Sequence, residues 1–167
     1  ITARNGYQSA FMAPTEILAR QHYKPLIKFF PEFEGGVALL TGSEAKCFYG
    51  KNLGESALTK ARLREEIKKG AVKIVIGTHA LIQKEAGFDN LAFVIVDEQH
   101  RFGVSQRAQL SSNKFKLPVT SYQLPHFLSM SATPIPRTLS LTVFGDLDLS
   151  IIDELPKNRK PIITKVV

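Results

Sequence analysis

A run of apolar residues in the second half of the chain ends in two adjacent acids, followed by an amide and an imidazole. Residues 94–100 read VIVDEQH, so Asp97 and Glu98 directly follow three β-branched residues. An Asp at the end of a buried strand can hold Mg²⁺, directly or through water, and a neighbouring carboxylate can orient or deprotonate an attacking water. Apolar runs that end in Asp-Glu are common, so the spacing alone supports a solvated acid pair at the start of a loop about equally well.

The loop that would hold phosphates beside such a metal is missing from the sequence. It requires the pattern G-x-x-x-x-G-K-[ST], whose backbone amides cradle the phosphates while the Lys neutralises them. The only Gly-Lys pair is Gly50-Lys51, which is followed by Asn52 and preceded at the required spacing by Ala45. The sequence also has no HExxH, paired CxxC or GxSxG pattern. The two acids therefore have no partner of these kinds within the chain.

The elements that must position the acids follow from the pattern of apolar residues. Short β-rich runs alternate with longer helical patterns, which is typical of βαβ units around a parallel sheet. Strands are predicted at residues 8–12, 36–41, 72–76, 91–96, 127–130 and 147–152. Several of these runs are continuously apolar, as expected where helices cover both faces of a sheet. The stretches 42–55 and 111–125 are predicted to be loops.

Two helices are predicted between these strands. The first follows Thr15 and places Leu18, Leu26 and Phe29 on its inner side, with Pro25 as a candidate kink. The second runs from a cap at residue 56 to residue 69, where a glycine ends it, and its inward-facing residues are Leu63 and Ile67.

Four polar clusters, including the acid pair, follow predicted strands. They read MAPT at 12–15, IGTH at 76–79, VDE at 96–98 and MSATP at 130–134. Each has a purely structural interpretation, since Thr15 can cap a helix, Gly77 can form a turn and Thr133 can begin a helix. Ligands of open α/β sheets bind beyond the carboxyl ends of the strands. Four clusters at one edge therefore favour a binding site.

Composition limits the classes of partner. The net charge is +7 and the pI is about 9.6, which modestly favours a polyanionic partner. The sequence has no apolar run near the roughly 18 residues that span a bilayer. A single cysteine, Cys47, excludes an internal disulfide and fits a reducing cytoplasm. The chain begins at Ile1 without an initiator Met or a signal-peptide pattern, so we interpret it as a piece of a longer protein.

Taken together, the clusters resemble the motif series of superfamily 2 helicases. Residues 13–22 (APTEILARQH) resemble motif Ia, residues 40–43 (LTGS) the segment after it, and residues 77–83 (GTHALIQ) motif Ib. Residues 97–104 (DEQHRFGV) resemble motif II and residues 131–139 (SATPIPRTL) motif III. Within that superfamily, DEQH and the segment 145–161 are most similar to the RecG family of fork-remodelling helicases. The primosomal helicase and the transcription–repair coupling factor belong to the same group.

The resemblance implies a fold and roles for individual residues. The fold would be a RecA-like three-layer α/β sandwich around a mainly parallel sheet, lacking one central strand together with the Walker-A loop. Asp97 would coordinate Mg²⁺ through water, Glu98 would activate the hydrolytic water, and Gln99 and His100 would sense the nucleotide. Motif III would couple ATP to DNA through Ser131, Thr133 and Arg137, the last as an interdomain brace or a DNA contact. The residues implied to line the DNA are Pro14, Thr15, Thr41, Gly42, Gly77, Thr78, His79, Arg101 and Phe102, of which the last two could equally brace motif II.

The resemblance also implies an organisation and an activity. Residues 1–155 would belong to the first motor domain, and residues 156–167 to the linker and the start of the second. The whole protein would be a bacterial cytoplasmic ATP-dependent DNA helicase that acts on forks and Holliday junctions, using ATP and Mg²⁺ and working with a wedge domain and a second motor domain. The fragment alone would be inactive. Two alternatives remain: the coupling factor, which adds RNA polymerase as a partner, and a non-catalytic module that binds DNA or protein.

Overall fold

The computed structural model of the chain describes residues 1–78, 81, 87–98, 125–132 and 148–154. Residues 1–132 form one compact unit, which contains all the described strands and helices, and residues 133–167 form a second. Residues 148–154 of the second unit have no regular secondary structure, so the strand predicted at 147–152 is wrong for its described part. The predicted linker at 156–167 lies outside the described residues.

The first unit is built on a seven-stranded sheet. Its strands are β1 (Gln8–Met12), β2 (Val37–Leu40), β3 (Ala45–Phe48), β4 (Glu55–Ala57), β5 (Ile74–Gly77), β6 (Leu91–Asp97) and β7 (His126–Met130). Their order across the sheet is β4-β3-β2-β5-β1-β6-β7. Strands β2, β5, β1, β6 and β7 are parallel, whereas β3 and β4 add an antiparallel ribbon at one edge.

The sheet has no interior gap among its described strands. Strand β6 pairs directly with β1 on one side and with β7 on the other. The strand that the resemblance implies to be missing with the Walker-A loop therefore does not lie between any two of the described strands, and its absence stays a prediction. A further strand could add to the sheet only at its outer edges, beside β7 or β4. The mainly parallel three-layer architecture itself is confirmed.

Helices on the two faces bury two separate apolar clusters. Strand β2 is buried at all four positions, with Ala38 and Leu40 in one cluster and Val37 and Leu39 in the other. This division follows from the alternation of side chains along a strand. The cluster that contains Leu40 includes residues of helix α2 (Lys60–Lys68), and the other includes residues of helix α1 (Glu16–Phe29). A strand covered on both faces needs apolar residues at every position, which explains the unbroken sequence VALL.

Helix α1 begins where the sequence predicts, and the predicted Leu18 and Leu26 pack against the core whereas Phe29 does not. Thr15 is its N-cap, and the side-chain oxygen of Thr15 accepts a hydrogen bond from the backbone N–H of Leu18 at 3.3 Å. The buried residues of the helix are Ala19 and Tyr23, whereas Phe29 is 78% exposed. The predicted inward position of Phe29 is therefore wrong, because the helix presents a small residue and an aromatic residue one turn apart to the sheet.

The region between β2 and α2 is more ordered than predicted. The predicted loop at 42–55 contains β3 and the first residue of β4. Ser56 lies within β4, so it does not cap α2; the cap is Thr59, whose side chain accepts from the backbone N–H of Arg62 at 3.2 Å. The predicted end of the helix is confirmed, because Gly70 adopts φ +70° just after it. Among the described helices, none is long and apolar enough to cross a membrane.

Candidate functional site

The carboxyl ends of the five parallel strands lie at one edge of the sheet. The register places Met12 beside both Gly77 and Val96, Gly77 beside Leu40, and Asp97 beside Met130. The polar segments that follow these residues therefore begin along a single row. This arrangement is the one expected for a ligand site in an open α/β sheet. We call this row the carboxyl edge.

Asp97 is the last residue of β6 and is held by a histidine from α1. The Nε2 atom of His22 lies 3.0 Å from Oδ2 of Asp97, and the side chains are 30% and 17% exposed. An ionised carboxylate only accepts hydrogen bonds, so Nε2 of His22 carries the proton of this contact. The His22 ring also packs against Phe11 of β1, with ring centroids 4.4 Å apart. Asp97 is thus partly buried and oriented by a side chain from a different element.

Glu98 leaves the strand in an unusual backbone conformation. Its φ is +49°, and among the described residues it is the one non-glycine residue with a positive φ. The backbone N–H of Glu98 still donates to the carbonyl oxygen of Met130 at 2.9 Å, which extends the pairing of β6 with β7 by one step. Residues held in such conformations concentrate at functional sites. The carboxylates of the two acids have different partners, His22 for Asp97 and Ser131 for Glu98, so the adjacent acids can serve different roles.

The carboxylate of Glu98 faces the segment that follows β7. The hydroxyl of Ser131 donates to Oε2 of Glu98 at 3.3 Å, and the backbone N–H of Ala132 approaches Oε1 at 3.4 Å. The predicted motif II and motif III clusters therefore touch through these residues. The predicted role of Ser131 in coupling them remains a prediction.

A second group of charged residues ties α1 to the loop after β2. The carboxylate of Glu16 accepts from both the backbone N–H and the hydroxyl of Ser43, and Arg20 donates to Glu44 at 2.7 Å. The hydrogen bonds from Ser43 lower the pKa of Glu16, and the bond from Arg20 lowers the pKa of Glu44. Both acids are therefore stabilised in their ionised forms. The first turns of α1 and the loop at 41–44 form one connected unit.

Some of the residues predicted to line the DNA are exposed to solvent, whereas others are buried. Thr15 and Gly42 are exposed and Pro14 is half-buried, whereas Gly77 is buried. Thr41 and Thr78 are only 1% and 3% exposed, and the hydroxyl of Thr41 accepts from the backbone N–H of Glu44 within a turn. The hydroxyl of Thr41 is thus used within its own turn, and Thr78 is buried, so a direct contact of either hydroxyl with DNA remains a prediction that requires it to become accessible.

Seven of the predicted site residues lie outside the described part of the chain. They are His79, Gln99, His100, Arg101, Phe102, Thr133 and Arg137. Their assigned roles remain predictions.

The chemistry of the described residues fits Mg²⁺ held mainly by a nucleotide. Among the described residues, no group of three or more His, Cys, Asp or Glu side chains could hold a metal ion by itself. Mg²⁺ commonly takes one or two carboxylates and fills its remaining positions with waters and substrate phosphates. Asp97 supplies one such carboxylate at the carboxyl edge, and the contact with His22 involves only its Oδ2 atom. Asp97 could therefore hold the metal together with phosphates.

His22 is the site residue that sequence reasoning missed. It lies 75 positions from Asp97 in the sequence, so no local pattern connects the two. The available signal was its position on the helix that follows the carboxyl end of β1, where a side chain facing the sheet can reach the next strand.

The fold and the carboxyl edge define an open α/β domain with a ligand site at the strand ends, and comparison with known proteins gives the family. The family model described as DEAD/DEAH box helicase matches residues 2–142. The chain belongs to that family. A solved structure of S. cerevisiae dbp5 has a TM-score of 0.52 at 16% identity and covers 85% of this chain and 34% of its own. At that identity the likeness concerns the fold alone.

Within the family, the chain is similar to bacterial proteins named ATP-dependent DNA helicase RecG. It is 48% identical to the protein of Aquifex aeolicus over 98% of this chain and 18% of the relative. The identity is 52% with the protein of Haemophilus influenzae, over 98% of this chain and 21% of the relative. With the protein of Bacillus subtilis it is 48%, over 96% and 21% respectively. The chain thus spans about a fifth of the length of these relatives.

Proposed function

We propose that this chain is the part of a bacterial, cytoplasmic ATP-dependent DNA helicase that carries the metal-binding acid and the water-activating acid. The observation that carries the proposal is the placement of Asp97 and Glu98 at the carboxyl edge of a chain that is 48% to 52% identical to proteins named ATP-dependent DNA helicase RecG. A module that only binds DNA has no need of such an acid pair. The phosphate-binding loop and the second motor domain would come from the rest of the protein.

Asp97 and Glu98 would divide the work at the nucleotide. Asp97 would hold Mg²⁺, which when bound neutralises charge on the transferred phosphoryl group. Glu98 would accept a proton from the attacking water, since its carboxylate is oriented by Ser131 and not by the histidine that holds Asp97. Gln99 and His100 would sense the nucleotide, and Ser131, Thr133 and Arg137 would couple its state to the DNA. Each of these side chains has the functional groups that its proposed role requires.

The DNA would run along the carboxyl edge and be held mainly through its phosphates. Gly42 and the start of α1 are exposed there, and Thr15 offers a hydroxyl donor, whereas the backbone N–H of Gly42 already donates to Glu16. The net charge of +7 favours a polyanion. Such contacts position a strand without reading its sequence. We propose branched DNA, namely replication forks and Holliday junctions, as the substrate, because the similarity to RecG proteins extends over nearly the whole chain.

The proposal is tested by measuring ATP hydrolysis by the full-length protein with forked, duplex and single-stranded DNA. DNA should stimulate hydrolysis, forked DNA most strongly. Glu98→Gln should abolish turnover and leave nucleotide binding largely intact, because the amide cannot accept the proton of water. Glu65→Gln, at an exposed glutamate on α2, is the matched control and should behave as wild type.

Two results would contradict the proposal. Wild-type hydrolysis by Glu98→Gln would remove Glu98 from its role, and the absence of DNA-stimulated hydrolysis in the full-length protein would reject the helicase assignment. The isolated 167-residue chain should not hydrolyse ATP, because its sequence has no phosphate-binding lysine loop. DNA-stimulated hydrolysis by the pure chain would show that the nucleotide site does not depend on such a loop.

A further inference from the structure

We propose that His22 is a positioning residue for Asp97 and that its Nε2–H fixes the orientation in which this carboxylate meets Mg²⁺. The inference rests on the proposed function, because it assigns a role toward the same metal. Its starting observation is the 3.0 Å contact between Nε2 of His22 and Oδ2 of Asp97.

The histidine is itself held in place from two directions. Its ring packs against Phe11, whose strand is paired with β6 on one side and β5 on the other. The helix that carries it is tied to the loop at 41–44 by Glu16 and Arg20. A donor on a helix anchored in this way keeps one direction, so it can orient its acceptor.

Among the residues that the structure describes, Asp97 has its Oδ2 engaged by His22 and no partner at Oδ1. A free carboxylate at a strand end rotates about its terminal bond, which is soft. The hydrogen bond to Oδ2 removes that freedom, and Oδ1 is then left for a metal ion or a water in its shell. Hydrogen bonds of this kind to ligating carboxylates typically change metal affinity or activity by about 10- to 100-fold. A partly buried pair, 30% and 17% exposed, is screened less by solvent than a surface pair.

The test uses the full-length protein and two substitutions that separate the N–H from the ring. His22→Phe keeps an aromatic ring against Phe11 but has no donor, and His22→Gln has a side-chain N–H close to the position of Nε2. Binding of a fluorescent ADP analogue is measured while Mg²⁺ is varied. We expect His22→Phe to raise the Mg²⁺ concentration for half-maximal binding about tenfold, and His22→Gln to restore most of the wild-type curve. Lys24→Ala, at an exposed position on the same helix, should leave the curve unchanged.

The outcomes of this experiment distinguish an error in the role of His22 from an error in the helicase proposal. If His22→Phe and His22→Gln both match wild type, or shift together, the N–H of His22 does not position Asp97. If His22→Phe lowers the midpoint of urea unfolding without changing the Mg²⁺ dependence, the residue is merely structural and the inference is wrong. If His22→Phe raises the Mg²⁺ concentration for half-maximal nucleotide binding as expected, but DNA stimulates no hydrolysis by the wild-type protein, the inference stands and the helicase proposal fails.

Discussion

The hydroxyl of Ser131 donates to the carboxylate of Glu98 at 3.3 Å, so the residue that follows β7 contacts the residue that follows β6. The backbone N–H of Ala132 approaches the other oxygen of the same carboxylate at 3.4 Å. The backbone of Glu98 is fixed as well, because its N–H donates to Met130. Glu98 is therefore oriented from the β7 side of the sheet, just as Asp97 is oriented by α1. The two acids can respond separately to movements of different elements.

Removal of the Ser131 hydroxyl should weaken catalysis more than nucleotide binding. In the full-length protein we expect Ser131→Ala to lower the rate of DNA-stimulated ATP hydrolysis about tenfold, since a hydrogen bond to a charged group contributes roughly 1.5 kcal/mol or more. The dissociation constant for ADP should stay within about twofold of wild type, because the bond orients Glu98 and is not expected to touch the nucleotide. Ser131→Thr keeps a hydroxyl and serves as the control. Equal rates for Ser131→Ala and wild type would show that the contact has no catalytic role.

The central strands and the edge that carries the site could be predicted from the sequence. Strand β1 occupies residues 8–12 as predicted, and β6 extends the predicted 91–96 by one residue. The run of six apolar residues in β6 is long enough to indicate a strand covered on both faces, and β1 was indicated by the apolar residues before its polar end cluster. Because parallel strands place their carboxyl ends together, the positions of Asp97 and Ser131 at one edge followed from the strand assignment alone.

The parts that could not be predicted depend on contacts distant in sequence. Strand β3 has four residues and β4 has three exposed residues, which is too short for a periodic signal. They form because β3 pairs with β2 and then offers its free edge to β4. The contact of His22 with Asp97 is of the same kind, since it depends on how α1 lies against β1 and β6. The spacing of the motifs in the sequence also could not show that β6 pairs directly with β7.

The buried amide of Gln8 should be a major source of stability at the end of the sheet opposite the site. Gln8 is 0% exposed, and its Nε2 donates to the carbonyl oxygens of Ile67 and Val72, both at 2.8 Å. Its Oε1 accepts from the backbone N–H groups of Asp89 and Asn90 at 2.8 and 3.0 Å. Gln8→Leu would remove all four hydrogen bonds; the carbonyl oxygen of Ile67 keeps its bond from the N–H of Gly70, but the other three backbone groups lose the partner that Gln8 supplies. We expect it to lower the free energy of unfolding by about 3 kcal/mol, measured by urea denaturation.

The matched control for Gln8 is an exposed glutamine. Gln21 lies on the exposed side of α1, so Gln21→Leu should change the free energy of unfolding by less than about 0.5 kcal/mol. If both substitutions change the free energy of unfolding by the same small amount, the buried amide does not hold residues 67–72 and 89–90 to β1.

Gly77 should be required by packing whether or not it contacts DNA. It lies at the end of β5 beside Leu40, and an added Cβ would collide with the carbonyl oxygen of Leu40 and lie 3.1 Å from a side-chain carbon of Leu81. The obstacle is strand backbone, which cannot move without disrupting the sheet. We expect Gly77→Ala to lower the free energy of unfolding by about 2 kcal/mol, measured by urea denaturation.

The control for Gly77 is a glycine in open space. A Cβ at Gly6 would meet no atom within 4 Å, although its φ of +84° is unfavourable for alanine. Gly6→Ala should therefore cost about 1 kcal/mol, from backbone strain alone. If Gly77→Ala lowers the free energy of unfolding by less than Gly6→Ala does, β2 and β5 are not packed closely enough to exclude a methyl group.

The buried thiol of Cys47 should make the fold less stable in alkali. Burial raises the pKa of Cys47 from its ordinary 9.0 to about 12. The unfolded chain therefore loses this proton before the folded chain does as the pH rises. The contribution of Cys47 to stability is fully present below pH 9 and is lost progressively between pH 9 and 12. We expect the free energy of unfolding, measured by urea denaturation in steps from pH 8 to about 10.5, to fall with a slope that steepens above the ordinary thiol pKa.

Replacing the thiol of Cys47 separates its contribution to the pH dependence of stability from the contributions of the tyrosine side chains. Burial also raises the pKa values of Tyr23 and Tyr49, and their hydrogen bonds to Glu55 and Glu66 act in the same direction. Cys47→Ala should therefore be less stable than wild type at pH 8, because it removes buried atoms, yet its stability should fall less steeply with pH. The same slope in both proteins would show that the folded state does not disfavour the thiolate of Cys47. A wild-type slope of opposite sign would mean that the thiolate is stabilised in the fold, which its fully buried position between β2 and β4 argues against.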